Sequence, residues 1–226
     1  MEPKFIVFDT ETTGLPVRVA RGEPPVPADD PRQPRLASFA AIIADDNGHE
    51  IDRQKFYVLP EGWTMAEFDA RAIADGKKPA SEINGLTDDF LNENGVPVKQ
   101  VLDFYSGIIE HGLIAVTFNA IFDTKIMRGE LRRAGMPDLF EQTRNICVMK
   151  AQDAYAARGL CMSSPGFVKL ATALEFHGIV NDNPHDAMGD AEGARKLLAR
   201  LIADGLLPEP GIRYAKNPPA GREAAE

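Results

Sequence analysis

Cysteine is nearly absent. Cys147 and Cys161 are too few for a disulfide framework or a four-thiolate zinc site, and free thiols fit a reducing compartment, by default the cytoplasm. Long apolar runs are missing too. The run Phe5-Ile6-Val7-Phe8 near the N-terminus is shorter than a membrane-spanning helix and lacks the cleavage-site design of a signal peptide, so membrane and export roles are not expected. Positive charge is in short supply. The 25 Lys plus Arg face 34 Asp plus Glu, a formal net charge of -9, which excludes a surface that holds nucleic acid by overall charge alone. A local basic groove or a bound cation remains open. No segment repeats with a period of roughly 20–50 residues, so a solenoid is not expected. The 226 residues are 44% hydrophobic and 26% charged, which argues against disorder throughout and for one globular domain with modest appendages.

The pattern of what remains is that of a mixed α/β chain. Lys4 to Phe8 reads as a central strand ending at Asp9, and Leu36–Ala44 and Glu50–Leu59 as two more, joined by the turn-like Asp45-Asp46-Asn47-Gly48-His49. Together they predict a three-stranded antiparallel meander. Between the first two, residues 16–35 carry six prolines, which obstruct helix and central strand alike and predict an exposed loop. Helices are expected over Met65–Ala74, from Thr87 to Asn92 with Thr87 as cap, and over Val98–Glu110, where apolar residues recur every three or four positions. Leu113–Phe118 reads as a strand. Ala120–Ala134 then reads as a helix with Ile121, Phe122, Ile126, Met127 and Leu131 inward. A brief extended segment is expected at Asn145–Met149, with helices over 150–158, 167–176 and 187–203. Four prolines in residues 206–226 predict a flexible tail. The whole fits a layered α/β fold.

Four carboxylates stand out. Asp9 and Glu11 are two apart in an extended segment, so both face one way and can reach a common cation; acidic residues at strand ends are also commonly just solvated. Asn119 and Asp123 are four apart where a strand runs into a helix, the edge at which open α/β sheets carry their sites, although Asn119 also suits a helix cap. Asp123 lies among Ile121, Phe122, Ile126 and Met127, where an unpaired carboxylate is costly and a metal would remove the cost. Asp190 begins an Ala- and Leu-faced helix and could serve the helix dipole instead. His185, if already helical, sits about 140° around from Asp190 and approaches it from a neighbouring side. Clustered carboxylates raise one another's pKa unless divalent cations neutralise them, and an all-oxygen ligand set favours Mg²⁺ or Mn²⁺. Two such ions can bridge a phosphodiester, with His185 taking the proton of water.

Three segments carry a resemblance: Phe8-Asp9-Thr10-Glu11-Thr12-Thr13-Gly14-Leu15, Asn119-Ala120-Ile121-Phe122-Asp123 and His185-Asp186-Ala187-Met188-Gly189-Asp190. In this order they resemble the three motifs of the DEDDh exonucleases, a family that includes the proofreading subunit of bacterial DNA polymerase III. The resemblance covers about residues 4–203 and implies an RNase H-like exonuclease fold over residues 1–205, its mixed central sheet antiparallel in the first three strands and flanked by helices. It implies 3′-to-5′ hydrolysis of nucleic acid to nucleoside 5′-monophosphates. It casts Asp9, Glu11, Asp123 and Asp190 as ligands of two Mg²⁺ or Mn²⁺ ions and His185 as general base, the histidine setting this branch apart from the one with tyrosine. Thr12, Thr13, Gly14, Leu15, Asn119 and Phe122 become substrate contacts. Ile83-Asn84-Gly85-Leu86-Thr87 resembles a family segment that commonly reads His-Gly-Ile-Thr, with Asn84 in place of the histidine; Phe118 stands where many relatives have histidine.

These readings lead to a DNA 3′-end exonuclease for proofreading or repair, with a DNA polymerase as a partner the resemblance admits. The alternatives are an exoribonuclease and a non-catalytic scaffold that binds a strand or a polymerase. Phosphate contacts are expected from Lys125, Arg128, Arg132 and Arg133; Arg18, Arg21, Arg32 and Arg35 of the 16–35 loop either border the entrance or are solvated. His49, His111, His177 and both cysteines read as structural.

Overall fold

The computed structural model describes residues 1–17, 19–20, 22–156 and 168–212. In chain order its elements are β1 (Phe5–Thr12), β2 (Leu36–Ala44), β3 (Glu50–Tyr57), α1 (Met65–Ala74), α2 (Ser81–Asn84), α3 (Asp88–Asn94) and α4 (Val98–Glu110). They continue with β4 (Ile114–Thr117), α5 (Ala120–Arg133), β5 (Asn145–Cys147), α6 (Val148–Ala151), α7 (Asp153–Ala156), α8 (Leu170–Phe176) and α9 (Ala187–Ala203). The strands form one sheet in the order β3-β2-β1-β4-β5, antiparallel across β3-β2-β1 and parallel across β1-β4-β5. Among the described residues no helix is long and apolar enough to cross a membrane.

Strand periodicity sorts the side chains of β1 onto two faces. Ile6 and Phe8 enter a core with Phe39 of β2, Tyr105 of α4 and Met127 of α5, where the Phe8 ring lies 5.6 Å from those of both Phe39 and Tyr105. Val7 points the other way, into a core with Leu197 and Leu201 of α9. The small residues Ala40, Ala187 and Ala191 let α9 approach β2 closely. The β2–β3 turn docks on the same helix: a Cβ on Gly48, whose φ is +78°, would lie 2.9 Å from Ala199, and Arg195 Nη1 donates to the Gly48 carbonyl at 2.8 Å.

Several expectations need correction. β1 extends to Thr12 because its last residues keep their pairing with β2, through a bulge between Glu11 and Thr12. The helix expected over 150–158 is two short turns, α6 and α7, and residues 157–158 lie outside the described residues. Phe167 lies outside them too, and the helix after it begins at Leu170. The turn α2 and the 3-10 turn Leu139–Glu141 were not foreseen. Ile121 is exposed and Phe122 half-buried, so the inward face of α5 is carried by Ile126, Met127 and Leu131. Part of the expected tail is packed: Leu206 and Leu207 lie on the α9-side core, and Gly211 exchanges backbone hydrogen bonds with Asn145, extending the sheet edge; residues 213–226 lie outside the described residues.

The 16–35 loop is anchored despite its exposed stretches. Buried Gln33 accepts from the Val17 amide at 3.0 Å and donates to the carbonyls of Val26 and Pro27. Glu130 of α5, also buried, takes both Arg35 Nε and Nη2, at 2.8 and 3.1 Å, together with the Leu36 amide and Arg133 Nη1. Arg133 reaches on to the carbonyls of Ala28 and Asp30. Removing the carboxylate would leave two guanidiniums short of a partner, so Glu130→Ala is expected to cost about 3–5 kcal/mol in urea unfolding. A second test concerns Gly189, where a Cβ would lie 2.1 Å from the Asn183 carbonyl oxygen. Gly189→Ala is expected to push residues 181–185 away from α9 and cost about 1–3 kcal/mol, with faster amide exchange in that segment than in the wild type.

Candidate active site

The site lies at the C-terminal half of β1, where the sheet loses a strand. Pairing between β1 and β4 stops at Val7↔Val116, so beyond it β1 has β2 on one side and no strand on the other. Asp123, in the first turn of α5, fills that gap. Its Oδ1 accepts from the Thr10 amide at 3.1 Å and from Thr10 Oγ1 at 2.8 Å, replacing the strand acceptor that β4 no longer supplies. On the opposite face of β1, Asp9 and Glu11 meet Asp190, which α9 brings in on its first turn. One carboxylate oxygen from each of these three lies within 4.8 Å of the others. Among the described residues no Lys or Arg pairs with Asp9, Glu11, Asp123 or Asp190.

Crowding without a counter-charge sets the protonation of the cluster. Burial, followed by the charges of Asp123, Asp190, Glu11 and Asp186, holds Asp9 well above the usual carboxylate range. Burial and then the charge of Asp190 push Glu11 up to about 8, against a hydrogen bond from Asn84. Burial likewise raises Asp123, opposed chiefly by its bonds to Thr10. Asp190 is raised by burial and opposed first by Asn181, whose Nδ2 donates to its Oδ1 at 2.7 Å. All-oxygen donors, close together and unneutralised, fit a hard divalent cation.

Next to the carboxylates opens a cleft of about 200 Å³ lined by Glu11, Ser38, Tyr57, Asn84, Gly85, Leu86, Phe90, His185 and Asp186. The sheet register explains its floor: Glu11, Ser38 and Tyr57 are successive partners across β1, β2 and β3, so all three emerge on the α9 face. Phe90 stands edge-on to Tyr57 at 4.7 Å. His185 is exposed at the rim. The condition that His185 be helical is not met: its φ is +62°, and α9 starts only after Asp186, whose carboxylate caps the helix by accepting from the Gly189 amide at 3.3 Å.

The other expected contacts fall around this centre. Asn119 occupies the cap position of α5, yet its side chain makes no capping bond and its buried Oδ1 has no partner among the described residues, which removes the cap reading. Thr12 and Thr13 are buried; the Thr13 amide donates to the Arg35 carbonyl at 3.0 Å, and the Thr12 carbonyl accepts from Asn84 Nδ2 at 3.2 Å. Thr12 Oγ1 donates to the Gly14 carbonyl at 2.7 Å, and Leu15 beyond it is 71% exposed. Phe122 is half-buried against the α4–α5 core. Asn84 thus ties the α2 turn to the end of β1.

The basic footprint is smaller than expected. Arg128 and Arg132 pair with Asp138, Arg133 and Arg35 with Glu130, and Arg32 with Asp30. Arg18 and Arg21 lie outside the described residues. Lys125 is the candidate with no ion pair among the described residues, and burial lowers its pKa. Cys147 Sγ contacts the Phe118 carbonyl at 3.4 Å, His177 pairs with Gln152 at 3.0 Å, and His111 bonds the Gly107 carbonyl, so these keep structural places; Cys161 is outside the described residues. Ser38, Lys55, Tyr57, Phe90 and Asp186 were missed. Only the alternation of β3 could have marked Lys55 and Tyr57 as sharing a face.

The Exonuclease (RNase_T) family model matches residues 6–198. The PolC-type DNA polymerase III of Streptococcus pneumoniae is 27% identical over 213 residues, 90% of this chain and 11% of the polymerase; that of Lactococcus lactis is 30% identical over 152 residues, 64% of this chain and 8% of the polymerase. Among solved structures, E. coli Exonuclease I in complex with a dA16 oligonucleotide superposes with a TM-score of 0.68 at 20% identity, covering 91% of this chain and 42% of that one. The nuclease domain of 3′hExo, a DEDDh family member bound to rAMP, superposes with a TM-score of 0.63 at 18% identity, covering 91% and 94%. The chain spans about a tenth of the length of the polymerases and under half of Exonuclease I. By its match to the family model over residues 6–198, the chain belongs to the exonuclease family.

Proposed function

We propose that this chain hydrolyses DNA from the 3′ end, on single-stranded or frayed termini, and releases nucleoside 5′-monophosphates. The observation that carries the reading is the meeting of Asp9, Glu11 and Asp190 within 4.8 Å beside a cleft rimmed by His185. Asp9, Glu11, Asp123 and Asp190 are the residues to hold two Mg²⁺ or Mn²⁺ ions. Bound there, divalent cations supply charge neutralisation, polarisation of the scissile phosphate and a lowered pKa for water. His185 takes the proton of the attacking water and passes it to solvent, for which its exposed position suits it. Asn119 offers its unpartnered amide oxygen to the strand end, and Leu15 offers an exposed apolar side chain to a base. Thr12, Thr13, Gly14 and Phe122 complete the wall against the terminal nucleotide.

The oligonucleotide complexes of Exonuclease I support DNA as substrate, and the match to PolC-type polymerases supports proofreading or repair beside a DNA polymerase. A second reading, 3′-end trimming of RNA, is favoured by the likeness to 3′hExo bound to rAMP. Digestion of matched DNA and RNA 3′ ends, including mismatched DNA termini, with Mg²⁺, Mn²⁺ or chelator decides between them.

Two predictions follow from these assignments. Asp9→Ala is expected to abolish hydrolysis, whereas His185→Ala lowers kcat by about 10²–10⁴-fold and keeps metal binding; unimpaired hydrolysis by either variant, in a labelled-oligonucleotide assay, refutes its assignment. The other concerns metal removal. In the unfolded chain the four carboxylates ionise near 3.8 and 4.5, but in the metal-free fold all four are raised, Glu11 to about 8. Between those values the folded state binds more protons than the unfolded one, so its stability falls as pH rises. Chelator-treated protein should therefore lose about 3 °C or more in Tm from this cluster between pH 5 and pH 8, and Mg²⁺ or Mn²⁺ should restore it at pH 8. Differential scanning calorimetry of wild type against the Glu11→Gln variant isolates the share of Glu11.

A further inference from the structure

His185 stands in an unfavourable backbone conformation, held in part by a hydrogen bond from its own backbone to the Asp190 carboxylate. A non-glycine residue in the left-handed region pays steric strain and persists only where its neighbours over-determine it. On its N-terminal side, the Asn183 carbonyl packs against Gly189 and Asn181 donates to Asp190. These contacts all lie within one segment and the helix it enters.

On its C-terminal side the restraint comes from a different part of the fold. Asp186 caps α9 with one carboxylate oxygen and forms an ion pair with Lys55 Nζ through the other. Lys55 lies on β3 in the row Asp9–Ala40–Lys55, so its side chain emerges on the α9 face, one pleat from the cleft residue Tyr57, over whose ring its ammonium lies at 4.7 Å. Both groups are largely shielded, with 24% and 32% of the side chains exposed, so the pair is less screened than a surface one. Among the described residues it is the only ion pair that joins the sheet to the segment carrying His185.

We propose that Lys55 is a positioning residue: through Asp186 it fixes the backbone at His185 and so the aim of the imidazole into the cleft. This rests on the reading of His185 as general base. Lys55 touches neither substrate nor reacting atoms in this role. Its contribution lies in orientation, where misplacement by about 1 Å can cost up to 10²-fold in rate.

The test uses the full chain and two readouts. Lys55→Met keeps the aliphatic stem against Tyr57 and removes the charge; Lys55→Arg keeps the charge. In metal-free protein, amide exchange at residues 185–190 should be about tenfold faster in Lys55→Met and return towards wild type in Lys55→Arg. In hydrolysis, Lys55→Met should lower kcat about tenfold or more with KM within about twofold, and Lys55→Arg should recover most of it. Asp186→Asn, which keeps an oxygen for the cap, should behave like Lys55→Met, and the double variant no worse than either. Unchanged exchange in Lys55→Met overturns the restraint, and faster exchange with wild-type kcat overturns its bearing on His185. An inactive wild type would instead defeat the exonuclease reading, while exchange would still decide whether Lys55 holds the segment.

Discussion

Like charges held close together are the constraint around which this fold is organised. Four carboxylates at the end of one strand repel one another, and three different devices restrain them. Asp9 and Glu11 are fixed by antiparallel pairing with β2. Asp123 is fixed by Thr10, in a gap that exists because β4 is short. Asp190 is fixed by Asn181 and by the first turn of α9. The two faces of the sheet contribute different parts, and the site exists only where β1 outlasts its parallel neighbour.

Around that centre, the described arginines at positions 35 and 128–133 are held in ion pairs. The chain has 25 Lys plus Arg against 34 Asp plus Glu, and Arg35 and Arg133 bind Glu130 while Arg128 and Arg132 bind Asp138. The Pro-rich loop is bound by these pairs to α5, the helix that carries Asp123. Substrate phosphates would therefore meet an acidic site through bound cations more than through a basic surface.

The sequence made the site readable where chemistry is local and opaque where it depends on pairing between strands. The order of elements, the meander and the Ala/Leu face of α9 follow from periodicity, and the three acidic segments are contiguous stretches whose residue types narrow the chemistry. The cleft could not be read in that way. Ser38 and Tyr57 join Glu11 only through the register of three strands, and Lys55 meets Asp186 across 131 positions of sequence. Composition was right that residues 16–35 form a largely exposed loop, but proline density says nothing of Glu130 waiting buried on α5 to anchor it. It misled at residues 206–212, where backbone bonding to Asn145 outweighs the prolines nearby. The angle between His185 and Asp190 was legible only on the condition that His185 is helical, and it is not: Asp186 is the N-cap, and the residue before it is free to take a conformation no helix permits.

The docking of α9 across β1 and β2 has a consequence for how the protein comes into being on the ribosome. Asp9 and Glu11 emerge early in synthesis and Asp123 midway, but Asp190 and His185 arrive only with the last helix described here, which must settle onto strands made long before. A nascent chain lacking it holds Asp9 and Glu11 without Asp190, so the carboxylate cluster comes together only once α9 has been made and has docked on the sheet.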